Sequence, residues 1–172
     1  TKLGIKHPPS PASMCFRSKI STFSTAMNVT CVVADFIDTN VWVYAHTAGV
    51  DDSKSEAAQA LLQRISSPVI SVQVLGEYCA VMVRNRLPDE QVGENLEAMI
   101  AICRTLPVSA GTVQQAWRLR RRYGFSYWDS QMIAAALEAG CTSLYTEDLQ
   151  HNQAIEDGLR IVNPFAGLSS LA

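Results

Sequence analysis

The sequence has no long run of apolar residues, although 48% of its 172 residues are hydrophobic. No stretch of 18 consecutive apolar residues occurs, so a transmembrane helix is not expected. The N-terminal segment also lacks the apolar stretch that forms the centre of a secretory signal peptide. These absences predict a cytoplasmic protein that has no membrane partner.

Paired cysteines are missing as well. The five cysteines are an odd number, and no two of them form a C-x-x-C pair. Four of them lie inside apolar runs, where cysteine acts as a small core residue. The sequence therefore predicts reduced thiols in a reducing compartment, without a disulfide framework.

Acidic residues are absent from residues 1–27, which carry four basic residues, three prolines and many serines. This composition predicts a flexible N-terminal arm, followed by one domain over residues 28–172. The arm also faintly resembles a transit peptide, although we favour an arm or sequence upstream of a start at Met14 or Met27. The other 145 residues hold 10 basic and 16 acidic groups, so a nucleic-acid partner needs a local basic patch or bound cations.

Short apolar runs alternate with helical patterns along the rest of the chain. The predicted strands are 31–37, 68–71, 106–108, 141–146 and 159–162. Two predicted helices begin at residues 41 and 51, and four more span 72–86, 88–103, 113–123 and 129–139. This alternation predicts a single α/β domain with a central parallel sheet of four to five strands flanked by helices. Ligands of such domains bind beyond the carboxyl ends of the strands.

Acidic residues occur at those strand ends. Asp38 directly follows the first predicted strand, and Asp148 lies two residues after the fourth. Either residue alone is explained as a turn or helix cap. Glu77 is harder to explain in this way, because its predicted helix is apolar on most sides and an isolated buried charge costs several kcal/mol. It either reaches solvent or has a partner.

Asp129 precedes an apolar helix that runs from Met132. An Asp at a helix start accepts backbone N–H groups and is favoured by the helix dipole. That role leaves one carboxylate oxygen free for a metal ion. Four carboxylates at one end of a sheet repel one another, and a hard divalent cation relieves this repulsion. With a phosphodiester substrate, such an ion activates water and stabilises the leaving group.

Four segments carry a resemblance to a known family, in this order and at separations of 39, 52 and 19 residues between their acids. They are Phe36-Ile-Asp38-Thr-Asn40-Val-Trp-Val-Tyr, Ser71-Val-Gln-Val-Leu-Gly-Glu77-Tyr, Tyr127-Trp-Asp129-Ser-Gln-Met-Ile-Ala-Ala-Ala and Leu144-Tyr-Thr-Glu-Asp148-Leu-Gln. At these residues the chain resembles PIN-domain ribonucleases, and in particular the VapC-type toxins of VapBC toxin–antitoxin pairs. The resemblance covers about residues 30–165.

The resemblance implies that four acids hold Mg²⁺ or Mn²⁺ and are catalytic: Asp38, Glu77, Asp129 and Asp148. It also implies that Asn40 and Thr146 support them, and that Glu147 is an alternative to Asp148 as the fourth acid. One departure from the family is Gly76, where relatives often carry a polar residue such as Asn.

The resemblance further implies a homodimer, an RNA substrate and a cognate antitoxin. The antitoxin's C-terminal segment is expected to lie across the acidic cleft. Substrates of the family are structured RNAs, often transfer RNA, cut in single-stranded loops. Residues 1–27 have no counterpart in the family.

An arginine-rich helix segment offers a candidate RNA-binding surface. Arg118, Arg121 and Arg122 share one helix face by their spacing, with Trp117 and Tyr123 available for stacking. A solvated face that balances nearby acids explains the same residues equally well.

Three other functions compete with a metal-dependent ribonuclease toxin. A phosphotransfer enzyme with Asp38 as nucleophile is disfavoured, because Asn40 stands where a second Asp is needed. A PIN-like module that binds RNA or protein without cutting is disfavoured by the presence of all four acids. An RNA-processing nuclease that is not a toxin has the same active site, so the sequence leaves it open.

Overall fold

The computed structural model of the protein describes residues 34–47 and 52–168. The predicted N-terminal arm, residues 1–27, and the first part of the strand predicted at 31–37 lie outside the described residues. Within the described residues, no helix combines the length and the apolar composition needed to cross a bilayer.

Strands and helices alternate through the described residues, as the sequence predicts. The strands are β1 Asp35–Ile37, β2 Pro68–Ser71, β3 Arg104–Leu106, β4 Ser143–Tyr145 and β5 Arg160–Val162. The helices are α1 Thr39–His46, α2 Asp52–Arg64, α3 Val72–Arg84, α4 Asp89–Ile102, α5 Ala110–Tyr123 and α6 Tyr127–Glu138. A short 3-10 turn, Glu156–Gly158, precedes β5. The α/β class is therefore confirmed.

The five strands form one parallel sheet in the order β3-β2-β1-β4-β5. The chain first adds strands on one side of β1 and then returns to add β4 and β5 on the other side. The direction changes between β1 and β4, and crevices at such switch points are the usual ligand sites of open α/β sheets. Asp38 and Asp148 both follow strands that border this point.

The sheet carries the centre of the hydrophobic core. Phe36, Val69, Leu144 and Ile161 each come from a different strand and are fully buried. Helix α6 is buried at every position from 130 to 136, which its run of alanines and large apolar side chains permits. Fully buried strand residues are typical of parallel sheets that are flanked by helices.

The third strand and the fifth helix begin earlier than the sequence predicts. The third strand is Arg104–Leu106 and not 106–108, because Pro107 has no N–H to donate to the sheet and follows the last paired residue. Helix α5 begins at Ala110, three residues before the predicted start. Its capping box joins Ser109 and Thr112, a polar pair that the hydrophobic pattern did not mark as a helix start.

Candidate active site

The ends of β1 and β4 bring Asp38 and Thr146 side by side. Ile37 is in register with Tyr145, and the N–H of Asp38 donates to the Tyr145 carbonyl oxygen at 3.0 Å. The buried Thr146 hydroxyl donates to Asp38 Oδ2 at 2.7 Å. The exposed Asp148 follows, and its N–H donates to Thr146 Oγ1 at 3.1 Å. Sheet register therefore places two predicted acids around the switch point.

Asp38 is also the N-cap of α1. Its Oδ1 accepts from the N–H of Thr39 at 2.6 Å, so α1 begins at Thr39 and not at Val41 as predicted. The side chain satisfies one of the free N–H groups of the first turn. Oδ2 faces Thr146 and Asn40, so capping uses only one of the two oxygens.

Asn40 connects two of the acids. Its Nδ2 lies 2.9 Å from Asp38 Oδ2, 3.1 Å from Asp148 Oδ2 and 3.2 Å from Thr146 Oγ1. The two N–H groups of the Asn40 amide are thus shared among three acceptors. The amide nitrogen must face the carboxylates, because the amide oxygen cannot donate to them. Asn40 Oδ1 is buried and has no hydrogen-bond partner among the described residues. The predicted supporting residues Asn40 and Thr146 therefore lie where they orient Asp38 and Asp148.

Glu77 has partners on both carboxylate oxygens. The Thr39 hydroxyl donates to Oε2 at 3.0 Å, and Gln73 Nε2 donates to Oε1 at 2.8 Å. Glu77 lies in the second turn of α3, one turn after Gln73, and is half-buried. These neutral donors fix the carboxylate without cancelling its charge.

Asp129 is the third residue of α6, which begins at Tyr127. The prediction that Asp129 starts and caps this helix is wrong, because Ser126 is the N-cap and its hydroxyl accepts from the Asp129 N–H at 3.1 Å. Within the described residues, no hydrogen bond or ion pair reaches the Asp129 carboxylate. Both of its oxygens are therefore available to a ligand.

All four predicted acids line one pocket of about 520 Å³. As arranged, however, the described residues contain no group of three or more Asp, Glu, His or Cys side chains close enough to hold a metal ion. The four acids share the pocket. The carboxylates of Asp38, Glu77 and Asp148 accept hydrogen bonds from Thr39, Asn40, Gln73 and Thr146, whereas the Asp129 carboxylate accepts none from the described residues. The donor set still fits a hard cation such as Mg²⁺, which takes oxygen ligands and keeps several waters between itself and the protein.

The electrostatics of the pocket also fit a cation. Burial raises the pKa of Asp38 to about 7, and the negative charges of Asp148 and Glu77 add to the increase. Hydrogen bonds from Thr146 and Thr39 act in the opposite direction but are outweighed. Five carboxyl groups and a single arginine line the pocket among the described residues, so acidic groups outnumber basic ones there.

Glu147 lines the pocket but is already paired. Lys54 Nζ lies 2.6 Å from Glu147 Oε2 and also donates to the Tyr44 hydroxyl at 3.0 Å. The same ammonium group lies 4.7 Å from the centre of the Tyr44 ring. The Asp148 carboxylate, in contrast, accepts from an uncharged amide, which favours Asp148 over Glu147 as the fourth acid.

The predicted RNA-binding arginines lie outside the residues that line this pocket. Arg118 and Arg122 reach Glu156 at 2.7 and 3.5 Å, and Arg121 is exposed. Their pairing agrees with a face that balances nearby acids, while RNA binding by these residues stays a prediction. Arg84, an exposed residue at the end of α3, also lines the pocket. Its position seven residues after Glu77, two turns along α3, is the sequence signal for this placement.

The fold and the site together define an α/β protein with a carboxylate-lined pocket at the C-terminal edge of a parallel sheet. A family model described as the PIN domain matches residues 36–156, which are 121 of the 172 residues. The chain belongs to the PIN-domain family. No curated protein matches the sequence.

Solved structures share this fold. VapC20 of Mycobacterium tuberculosis, a toxin that cleaves the sarcin–ricin loop, is 24% identical with a TM-score of 0.56, over 66% of this chain and 91% of that chain. A toxin–antitoxin complex from Klebsiella pneumoniae is 19% identical with a TM-score of 0.58, over 76% and 97%. VapBC2 of Rickettsia felis, bound to a DNA fragment from its promoter, is 19% identical with a TM-score of 0.56, over 75% and 97%.

The raised pKa of Asp38 predicts how pH affects the metal-free protein. The unfolded chain releases the proton of this group near its ordinary pKa of 3.8, whereas the folded protein holds it to about pH 7. The free energy of unfolding should therefore fall as pH rises from 4 to 7, by at most about 4 kcal/mol, and then level off. Urea unfolding in EDTA at several pH values measures this change. Asp38→Asn should remove that component, and parallel profiles for the two proteins would contradict the prediction.

Proposed function

We propose that the protein is an endoribonuclease that depends on Mg²⁺ or Mn²⁺. The observation that carries this proposal is the meeting of four acids, separated by up to 110 residues in sequence, in one pocket at the sheet's switch point. The excess negative charge there supports a divalent cation as the missing partner. Membership of the PIN-domain family agrees with the same chemistry.

Each acid has a proposed place in the site. Asp38, Glu77, Asp129 and Asp148 hold the cation, directly or through its waters. Asn40 and Thr146 position Asp38 and Asp148 through the hydrogen bonds described above, and Thr39 and Gln73 do the same for Glu77. Pre-organised ligands matter because a loosely held carboxylate must be ordered when the ion binds.

The reaction we propose is hydrolysis of a phosphodiester bond in an RNA loop. A divalent cation held by Asp38, Glu77, Asp129 and Asp148 would lower the pKa of a water and would stabilise charge on the phosphate. Asp129, whose oxygens have no other partner among the described residues, is placed to accept a proton from the attacking water. Arg84, at the wall of the pocket, is placed to hold a neighbouring phosphate of the RNA.

We propose further that the nuclease is the toxin of a toxin–antitoxin pair, acting in the cytoplasm as a homodimer. Support comes from the shared fold with VapC20 and with two toxin–antitoxin assemblies. A cognate antitoxin inhibits it by laying a segment across the acidic pocket. Basic residues in that segment complement the charge of the pocket.

Glu77→Gln tests the nuclease. Loss of this carboxylate should lower the rate of RNA cleavage in Mg²⁺ or Mn²⁺ by at least about a hundredfold, because the cation would lose a ligand and would be held more weakly beside the phosphate. Glu97→Gln is the matched control, since Glu97 is an exposed residue of the neighbouring helix α4 and should leave the rate unchanged. The measurement is gel analysis of purified RNA. Cleavage that continues in EDTA would rule out the mechanism.

The identity of the fourth acid has its own test. Asp148→Asn should weaken Mn²⁺ binding roughly tenfold or more, because it removes a ligand. Glu147→Gln should leave Mn²⁺ affinity nearly unchanged, because Lys54 already engages that carboxylate. Isothermal titration of the purified proteins compares them. The reverse order of effects would make Glu147 the ligand.

The toxin role predicts growth arrest on induced expression in bacteria. Wild type should stop growth, and Asp129→Asn, expressed at the same level, should not. Sequencing of RNA ends after induction then identifies the cleaved RNA. Normal growth under wild-type expression that yields active nuclease would favour a processing enzyme over a toxin.

A further inference from the structure

A second groove adjoins the carboxylate pocket. Its volume is about 470 Å³, and it shares Gln73, Glu77 and Trp128 with the pocket. Its other lining residues are Val72, Gly76, Val108 and Gln131. Because three residues belong to both cavities, a chain bound at the acids can continue into this groove.

Trp128 forms the boundary between the two cavities. Its side chain is 60% exposed, which is unusual for so large an aromatic group. The Tyr127 ring meets it edge-on, with 5.3 Å between centroids and an angle of 73° between planes. Gln73 Nε2 donates to the Trp128 carbonyl oxygen at 3.3 Å. The indole therefore packs against Tyr127 of the same helix, while much of its surface faces solvent.

A buried amide also belongs to this groove. Gln131 is only 6% exposed, and its Nε2 donates to Gln73 Oε1 at 2.8 Å. Gln73 in turn holds Glu77. Within the described residues, Gln131 Oε1 accepts no hydrogen bond, so the groove offers an acceptor next to an aromatic surface. This pairing suits a planar ligand with N–H donors at its edge.

The two cavities differ in the number of charged residues that line them. The lining of the groove contains one charged residue, Glu77, and no lysine or arginine among the described residues. A phosphate has no counter-charge there, whereas a neutral ring does not need one. Gly76 leaves space as well, since a Cβ at that position would have no atom within 4 Å. A side chain at position 76 would narrow the groove, because Gly76 lines it.

We infer that this groove binds an unpaired base of the RNA substrate, stacked on Trp128 and adjacent to the phosphate that lies in the carboxylate pocket. The inference rests on the proposed nuclease function and adds to it a subsite for one nucleotide. Stacking on an aromatic side chain requires a base that is free of its own helix. The groove therefore restricts cleavage to single-stranded RNA and tolerates different bases.

Trp128→Ala should lower kcat/KM on a short single-stranded RNA roughly tenfold to hundredfold, mostly through KM, as expected for loss of one stacked base. Trp128→Phe should recover most of that loss. Ile102→Ala is the matched control, because Ile102 is a large apolar residue that is 61% exposed on α4 and lines neither cavity. Gly76→Gln should also raise KM while leaving the fold intact, since glutamine favours a helix more than glycine does.

Abasic substrates make the test specific to stacking. Replacing one nucleotide beside the cut with an abasic residue should lower kcat/KM for wild type as much as Trp128→Ala does, with little further loss when the two changes are combined. If the losses of kcat/KM from Trp128→Ala and from the abasic residue add in full at every substrate position tested, the inference is wrong. It is also wrong if the Trp128→Ala enzyme is as active as wild type. A Trp128→Ala protein that cuts RNA normally but loses its antitoxin overturns it too, and gives the groove to a protein partner. Absence of metal-dependent RNA cleavage by the wild-type protein would instead contradict the proposed nuclease function.

Discussion

The burial of Asp38 at the end of β1 is the constraint on which the rest of the site depends. Its carboxylate is 6% exposed, so its charge must be stabilised by whatever stands beside it. Register with β4 supplies Thr146, and the first turn of α1 supplies the N–H of Thr39 and the amide of Asn40. These donors lower the pKa of Asp38, yet burial still raises it to about 7, so the hydrogen bonds offset only part of the cost of ionising the buried carboxyl group.

A network of amide side chains gives the other half of the pocket its geometry. Gln131 holds Gln73, and Gln73 holds both Glu77 and the backbone of Trp128. Since Glu77 lies on α3 and Asp129 lies on α6, this network sets the relative position of two acids on different helices. The base-binding groove and the acidic pocket are therefore built from the same contacts, and a change in one is expected to affect the other.

The order of apolar runs was sufficient to predict the α/β class and the parallel sheet, because buried strands and amphipathic helices differ in period. The helix starts at 39, 110 and 127 were misplaced, since they depend on side-chain caps that hydrophobicity does not report. The four acids could be chosen from sequence motifs. The pairing of Glu147 with Lys54 could not be predicted in this way, because the two residues are 93 positions apart and only the fold brings them together. Metal binding by the acids stays a prediction.

Excess negative charge links substrate binding to the cation. Residues 28–172 carry a net charge of −6, and ionised acids in the pocket repel phosphate as well as one another. Arg84 is the one cation among the described residues that line the pocket. A divalent ion held there would lower the local negative charge, so an ion that assists hydrolysis would also permit the RNA backbone to approach. On this argument, removal of the metal would abolish RNA binding as well as cleavage. The groove beside Trp128, whose described lining holds no lysine or arginine, would not replace the metal, because stacking holds a base and leaves the phosphate charge unbalanced.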